Sequence, residues 1–116
     1  EQALMIETGE VMRVSAKAGI GIEELLSSVV DRIPPPKGDA AEPLKALIYN
    51  SHFDTYKGVV VYVRMIDGSI KVGQRIKMMR AGREYVITDM GQFRPTMTKC
   101  DELAAGQVGY FTANIK

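Results

Sequence analysis

Three consecutive prolines at positions 34–36 divide this chain of 116 residues into two parts that must fold differently. Proline has no backbone N–H and forces the residue before it out of the α region, so no helix can run through this segment. The apolar pattern has a helical period before the prolines and the pattern of short strands after them. We therefore predict a first part at residues 1–33, a semi-rigid proline-rich linker at 34–43, and a second part at 44–116.

The first part is predicted to contain a strand at residues 11–14, ending at Ser15, and then a helix. Thirty-three residues are fewer than the roughly 40 that usually form an independent core, and no sheet is available to cover the apolar face of the helix. We expect this part to be a piece of a larger domain, and a chain that begins at Glu1 rather than at methionine favours the same interpretation. The apolar face of the helix has the spacing i, i+3, i+4, i+7, i+8, i+11 and consists of Ile22, Leu25, Leu26, Val29, Val30 and Ile33.

The second part reads as a series of short strands separated by turn signals such as Asp67-Gly68. Closing such strands into a barrel would remove the exposed edges of a small sheet. The predicted fold class is therefore mainly β: a small closed antiparallel β-barrel, preceded by a strand and a helix. The predicted strands lie near 44–50, 58–66, 73–80, 83–90 and 107–115, with shorter pairing near 91–98.

Charge is unevenly distributed along the chain. Residues 44–116 have eleven Lys and Arg against six Asp and Glu, a net charge of +5, whereas residues 1–43 have a net charge of −4. Such asymmetry suggests that the basic part meets nucleic acid, although a solvated basic surface would give the same count. The one cysteine, Cys100, excludes an internal disulfide and a multi-cysteine zinc site. No apolar run approaches the roughly 18 residues of a transmembrane helix.

The residue patterns of known catalytic sites do not occur in this sequence. The stretch "GIGIEE" has Glu24 where a dinucleotide-binding fingerprint needs its third glycine, and the phosphate-binding pattern G-x-x-x-x-G-K-[ST] is missing. His52, the one histidine, has no second histidine or cysteine partner for a metal site. We therefore expect that the chain by itself is not an enzyme and holds no cofactor and no metal.

Four stretches are specific enough to indicate a family. They are "SAKAGIGIEELLSSVVDRIPPPKGD", "PLKALIYNSHFDTYKGVVVYVRMIDGSIKVGQRIKMM", "MGQFRPTM" and "DELAAGQVGYFTANIK". With them the chain resembles the LepA family of ribosome-associated translational GTPases from Val14 to Lys116. The linker "IPPPKGD" and the hairpin "GQFRP" favour this family over other translational GTPases.

The resemblance implies that the chain is a fragment of a longer parent protein. Residues 1–33 would be the last strand and helix of an α/β GTPase domain, and 44–116 the second-domain β-barrel of translation factors. Ser15, Ala16 and Lys17 would line the guanine pocket, in the parent protein only. The parent would use GTP and Mg²⁺, hydrolyse GTP, and move tRNAs backwards on the elongating ribosome.

The resemblance also implies partners and a location. The small ribosomal subunit and its RNA would contact the barrel, and the parent would act on a tRNA-bearing ribosomal complex. We expect an isolated fragment to be a monomer and the parent to be cytoplasmic, with peripheral association at the cytoplasmic face of the bacterial membrane also implied. Aromatic residues beside a lysine suit stacking and phosphate contacts with RNA. The candidate RNA contacts are His52, Phe53, Tyr56, Lys57 and Arg64.

Two other function classes fit the residues less well. A stand-alone barrel enzyme that binds a flavin would need an apolar pocket with polar groups, which the sequence does not reveal, and an absorbance spectrum would identify it. An RNA-binding module of the oligonucleotide-binding fold, unconnected to GTP, would lack a phosphate-binding loop in the coding sequence upstream of residue 1.

Overall fold

The computed structural model describes residues 11–115, and within this range the chain forms one helix and nine strands. The chain divides after Pro35 into two compact units, and the second of these, called the β unit below, contains all nine strands. The helix is α1 (Ile22–Arg32), and the strands are β1 (Lys45–Asp54), β2 (Gly58–Asp67), β3 (Ser69–Lys71), β4 (Arg75–Lys77), β5 (Glu84–Val86), β6 (Asp89–Phe93), β7 (Met97–Lys99), β8 (Glu102–Ala104) and β9 (Val108–Thr112).

The predicted helix in the first unit is confirmed. It begins after Gly21, whose φ of 72° is left-handed, and it ends where the N–H of Ile33 donates to the carbonyl of Val29, just before the prolines. Its apolar face remains largely exposed: Leu26 is 60% and Val30 is 79% accessible. A helix gains most of its stability by packing an amphipathic face, so this face is built to be covered.

The prediction of a strand at residues 11–14 is wrong within the part of the chain that the structure describes. These four residues lie in no ladder, and the nearest β pairing is an isolated bridge between Ser15 and Ile20. A strand needs a neighbouring strand to satisfy its backbone groups, and residues 11–115 offer none at this position. The apolar, β-branched composition of residues 11–14 is therefore not sufficient to form a strand.

The β unit is built from three antiparallel sheets. The largest sheet has the strand order β1-β2-β9-β6-β7, and the pairs β3–β8 and β4–β5 form two small sheets. The predicted mainly β fold is confirmed, but the predicted closed barrel is not seen within residues 11–115, where the three sheets do not join into one ladder. Five of the nine strands within residues 11–115 have only three residues. Turns such as the one at Gly73, and the residues 87–88, which belong to no strand, interrupt the pairing between the short strands.

The core of the β unit lies on one face of the large sheet. Along β2, Val61, Val63 and Met65 are at most 3% exposed, and alternation turns Tyr62 and Arg64 to the opposite face. This opposite face of the five-stranded sheet is called the outer face below. The remaining buried core residues come from several strands and turns: Ile70, Ile76, Ile87, Met90, Leu103, Phe111 and Ala113.

The second half of the proline-rich segment belongs to the β unit. Residues 36–43 form neither helix nor strand, but their backbone is bonded to the turn after β2. The carbonyl of Asp39 accepts the N–H of Gly68 at 2.8 Å, and the N–H of Asp39 donates to Asp67 Oδ1 at 3.3 Å. The segment is thereby fixed to the sheet instead of running free beside it.

Candidate nucleic-acid interface

Aromatic side chains form a continuous row across the outer face. The ring centroids of Tyr49 and Tyr62 lie 6.2 Å apart, those of Tyr62 and Phe93 lie 5.3 Å apart, and those of Phe93 and Tyr110 lie 5.7 Å apart. His52 stacks on Tyr62 with a centroid distance of 5.4 Å and an angle of 24°. These five residues are called the aromatic row below. They come from four strands, so the sheet, rather than a loop, sets their spacing.

Pairing within the large sheet positions the members of the row. The side chain of His52 lies beside that of Tyr62, and the tyrosine hydroxyl is 2.9 Å from His52 Nδ1. Across the sheet, Gly91 is opposite Tyr110, and a Cβ at that glycine would be only 2.6 Å from the Tyr110 hydroxyl oxygen. Gly91 therefore leaves the space in which the Tyr110 ring lies. Ring pairs at such distances stabilise by about 0.5–1.5 kcal/mol beyond the area they bury.

Lysine side chains lie at the Tyr110 end of the row. Lys57 Nζ is 5.5 Å from the centroid of the Tyr110 ring and 3.8 Å from Asp89 Oδ2. Lys99 Nζ is 3.3 Å from Asp89 Oδ1. Two lysines thus share one carboxylate, which leaves a net charge of +1 beside the rings.

Burial raises the pKa of Tyr110, and the nearby negative charge of Asp89 raises it further. The ring is 1% exposed, so a phenolate formed there would lose its hydration. Because folding raises this pKa, the stabilising contribution of neutral Tyr110 is present below about pH 10 and is lost as the pH rises through the folded-state value.

We expect this shift to be visible in an alkaline titration of phenolate absorbance. The difference between the titration curves of the chain and of a Tyr110→Phe variant should show a group whose pKa lies above about 10. A difference curve with its midpoint at or below that value would contradict the burial of the Tyr110 hydroxyl.

A shallow cleft opens beside the row. It has a volume of about 410 Å³ and is widely open to solvent. Its lining combines aromatic rings with an amide and an imidazole. The lining residues are Tyr49, Asn50, His52, Tyr62 and Phe93.

The structure places the five predicted RNA contacts in different surroundings. His52 is a member of the aromatic row, Lys57 contacts the row at Tyr110, and Arg64 is exposed on the outer face two residues beyond Tyr62. Phe53 is 74% exposed and, as the next residue after His52 in β1, points to the other side of the sheet. Tyr56 is 97% exposed in the β1–β2 turn.

The β1–β2 turn that carries Lys57 is held by a carboxylate. Asp54 Oδ1 accepts the N–H of Tyr56 at 2.8 Å and the N–H of Lys57 at 2.9 Å. These two bonds, first that from Lys57 and then that from Tyr56, lower the pKa of Asp54. The turn therefore keeps its shape at neutral pH and orients the start of β2.

Four members of the aromatic row were not predicted from the sequence: Tyr49, Tyr62, Phe93 and Tyr110. Alternation in "VVVYVRM" would have put Tyr62 and Arg64 on one face, and this signal could have been used. The approach of Phe93 and Tyr110 depends on β9 lying between β2 and β6, which is a long-range pairing that no local pattern encodes.

The predicted guanine-pocket tripeptide forms a tight loop in the first unit. Ser15 and Ile20 exchange backbone hydrogen bonds of 3.0 and 3.1 Å, and Ser15 Oγ accepts the N–H of Ala18 at 3.3 Å. The side chains of Ala16 and Lys17 are exposed, and their backbone N–H groups donate to no acceptor within residues 11–115. The hydrogen bonds at Ser15 define the shape of this loop.

Neither a metal centre nor a membrane span is found in the described part of the chain. Residues 11–115 contain no group of three or more His, Cys, Asp or Glu side chains that could hold a metal ion. No helix in this range is long and apolar enough to cross a bilayer.

Comparison with known proteins identifies the family and the fold. The family model for elongation factor Tu domain 2 matches residues 58–116. Elongation factor 4 of Aquifex aeolicus is 52% identical over all 116 residues, and that of Bacillus subtilis is 48% identical over the same length. The chain covers 19% of the length of each of these two relatives.

Two solved structures share the fold at low sequence identity. A bacterial selenocysteine-specific elongation factor, EF-Sec, superimposes with a TM-score of 0.71 and 20% identity, covering 97% of this chain and 19% of that one. Translation elongation factor SelB from Methanococcus maripaludis, in its apo form, gives a TM-score of 0.74 and 19% identity, covering 89% of this chain and 22% of that one.

Proposed function

Because the chain belongs to the elongation factor Tu domain 2 family, we propose that it is part of a ribosome-associated translational GTPase of the LepA type, also called elongation factor 4. The observation that carries this proposal is the similarity to elongation factor 4 over all 116 residues. The parent protein hydrolyses GTP and acts in protein synthesis, where it moves tRNAs backwards on the ribosome. It works in the cytoplasm and at the cytoplasmic face of the membrane, and the isolated chain is a monomer.

Residues 1–33 are the end of the parent's GTPase domain. Support comes from α1, whose exposed face, including Leu26 and Val30, needs the rest of such a domain to cover it. Exposed apolar patches of this kind mark surfaces that normally pack against another element. Residues 34–43 connect this part to the β unit.

The loop at Ser15, Ala16 and Lys17 fits a guanine base. The base carbonyl needs a hydrogen-bond donor, and the N–H of Ala16 has no acceptor within residues 11–115. A buried carbonyl without a donor would cost about 1–3 kcal/mol. GTP supplies the phosphoryl group that is transferred to water, whereas this loop only binds and orients the base. Other parts of the parent hold Mg²⁺.

We expect the isolated chain not to bind GTP. Its loop contributes one or two hydrogen bonds, which cannot offset the several kcal/mol lost on immobilising a nucleotide. A titration with a fluorescent GTP analogue should show no saturation in the micromolar range. Saturable micromolar binding would mean that the guanine pocket is not the one assigned here.

The β unit is the ribosome-contacting module, and its outer face makes the contact. Lys57 and Arg64 supply cations on that face, and the aromatic row supplies surfaces on which bases can stack. Contacts to phosphates dominate the affinity of most RNA-binding surfaces and weaken as salt rises. Small-subunit ribosomal RNA is the proposed partner.

We expect Arg64→Glu to weaken binding of the chain to purified small ribosomal subunits. Removing one phosphate contact should lower the slope of log affinity against log salt by about 1. Sedimentation of the chain with subunits over a range of salt concentrations measures both quantities. Arg64 is better suited to this test than Lys57, because a glutamate at position 57 would lie beside Asp89 and disturb the sheet.

The matched control is Arg83→Glu. It makes the same change in charge between β4 and β5, which belong to a different sheet. We expect the binding of this variant to resemble that of the unchanged chain. Equal weakening by both variants would show that the affinity reflects net charge and not the outer face.

A further inference from the structure

We propose that the turn between β4 and β5 docks on the surface of an anionic lipid membrane. The turn and its flanking residues, 77–83, have the sequence "KMMRAGR" and are called the basic tip below. This inference rests on the proposed location of the parent at the cytoplasmic face of a membrane. It adds the surface that makes the contact and the chemistry that this surface meets.

Positive charge is concentrated in the basic tip. Its seven residues include three exposed cations and no carboxylate: Lys77, Arg80 and Arg83. Within residues 11–115 none of the three forms an ion pair, whereas Arg75, the other cation of this hairpin, is paired with Glu84 at 3.4 Å. The tip therefore presents a charge of +3, and each Lys or Arg near an anionic membrane surface strengthens binding by about fivefold.

An exposed apolar side chain lies among these cations. Met79 is 92% exposed in the turn, whereas the preceding Met78 packs against the core of the β unit. Val86 is opposite Arg75 in the ladder, which places a second exposed apolar side chain on the face that carries Arg75 and Lys77. Such side chains can enter the boundary between lipid headgroups and acyl chains while the cations contact the headgroups.

Backbone hydrogen bonds hold the basic tip in one shape. The N–H of Met78 donates to the carbonyl of Arg83 at 2.8 Å, and the N–H of Gly82 donates to the carbonyl of Met78 at 2.8 Å. Gly82 has a φ of 67°, which closes the turn. Residues 79–82 therefore lie at the end of the hairpin in a fixed arrangement, and docking does not first have to order a loop.

The composition of the basic tip favours lipid over RNA. Proteins that bind single-stranded RNA combine cations with aromatic rings on which bases stack, and the aromatic row on the outer face has rings of this kind. The basic tip has no aromatic residue, and its exposed apolar group is a flexible thioether. Cations around an exposed apolar side chain are typical of proteins that lie on a membrane surface.

The test measures sedimentation of the 116-residue chain with vesicles of phosphatidylglycerol and phosphatidylcholine. Binding should weaken as salt rises and should be lost on vesicles of phosphatidylcholine alone. Arg83→Glu should weaken vesicle binding by about tenfold or more, because it removes one cation and adds an anion. Arg64→Glu is the matched control: it makes the same change in charge on the outer face and should leave vesicle binding unchanged.

A second variant, Met79→Ser, removes the apolar group and keeps every charge. We expect it to weaken vesicle binding several-fold and to leave binding to small ribosomal subunits unchanged. Because Met79 is 92% exposed, the urea concentration at which the chain unfolds should not change, which shows that the variant folds.

The same variants separate the lipid contact from the ribosome contact. If Arg83→Glu and Met79→Ser bind vesicles as the unchanged chain does, the lipid contact is refuted. It is also refuted if Arg83→Glu weakens subunit binding alone, since the basic tip would then contact RNA. If vesicles do not bind while Arg64→Glu still weakens subunit binding, the lipid contact fails and the ribosome contact stands. Vesicle binding without subunit binding would support the lipid contact and overturn the ribosome contact.

Discussion

Replacing Gly68 with alanine is expected to lower the free energy of unfolding of the β unit by about 2–5 kcal/mol. Gly68 has φ of 70°, where an L-residue is strained by roughly 1–2 kcal/mol. An added Cβ would also lie 2.7 Å from the carbonyl oxygen of Glu42 and 2.8 Å from the Cα of Leu44. Both contacts are with backbone, which cannot rotate away. Urea unfolding followed by tyrosine fluorescence measures the loss, since the chain has five tyrosines, all in the β unit, and no tryptophan.

Gly73→Ala is the matched control for this substitution. Gly73 has a similar φ of 84°, but a Cβ there would meet nothing within 4 Å. The control should therefore show only the backbone strain of about 1–2 kcal/mol, and the difference between the two variants gives the cost of the clash. Equal losses would contradict the close packing of residues 42–44 against the turn after β2.

The sequence predicts the Gly68 turn but not what packs on it. Asp67-Gly68 is a local turn signal, and the observed positive φ agrees with it. The contact of Gly68 with Glu42 and Leu44 joins segments that are more than twenty residues apart, and no composition rule encodes it. For the same reason, the proline-rich composition of residues 34–43 predicted an extended segment without revealing the bonds from Asp39 to Asp67 and Gly68.

The family and the general fold class were accessible from the sequence. The predicted resemblance to LepA is confirmed by the similarity to elongation factor 4, which extends over all 116 residues. The mainly β character is confirmed too, since strand propensity and turn signals are local. Closure of the strands into a barrel depends on long-range pairing, which local signals do not encode. The prediction of a closed barrel was therefore wrong for the described residues.

The candidate site was predicted only in part. Local composition around "NSHFDTYKG" identified His52, which belongs to the aromatic row, and Lys57, which contacts it. It could not identify Phe93 and Tyr110, which reach the row because β9 and β6 pair with each other far from that segment. Whether any of the five candidates, His52, Phe53, Tyr56, Lys57 and Arg64, contacts RNA stays a prediction.

Leu103→Ala should destabilise the β unit by about 2–5 kcal/mol, because it removes a fully buried side chain and leaves a cavity. Leu103 has no exposed surface, and its methyl carbons lie 2.6 and 2.9 Å from where a Cβ would be at Gly109, so the side chain fills the space which that glycine leaves. It lies in β8, a strand that was not predicted because its three residues are too few to show an alternating pattern. The measurement is urea unfolding with tyrosine fluorescence.

Leu47→Ala is the matched control for Leu103→Ala. It removes a leucine from a strand without removing a buried side chain. Leu47 lies in β1, within a strand that the sequence did predict, yet it is 55% exposed, so its truncation should cost less than about 1 kcal/mol. The two variants make the same chemical change in the same unit, and any difference between them comes from packing. The sequence predicted a strand at Leu47 and none at Leu103, yet the structure exposes Leu47 and buries Leu103. Similar losses for both variants would place the centre of the core away from β8 and would contradict the close packing of Leu103 against Gly109.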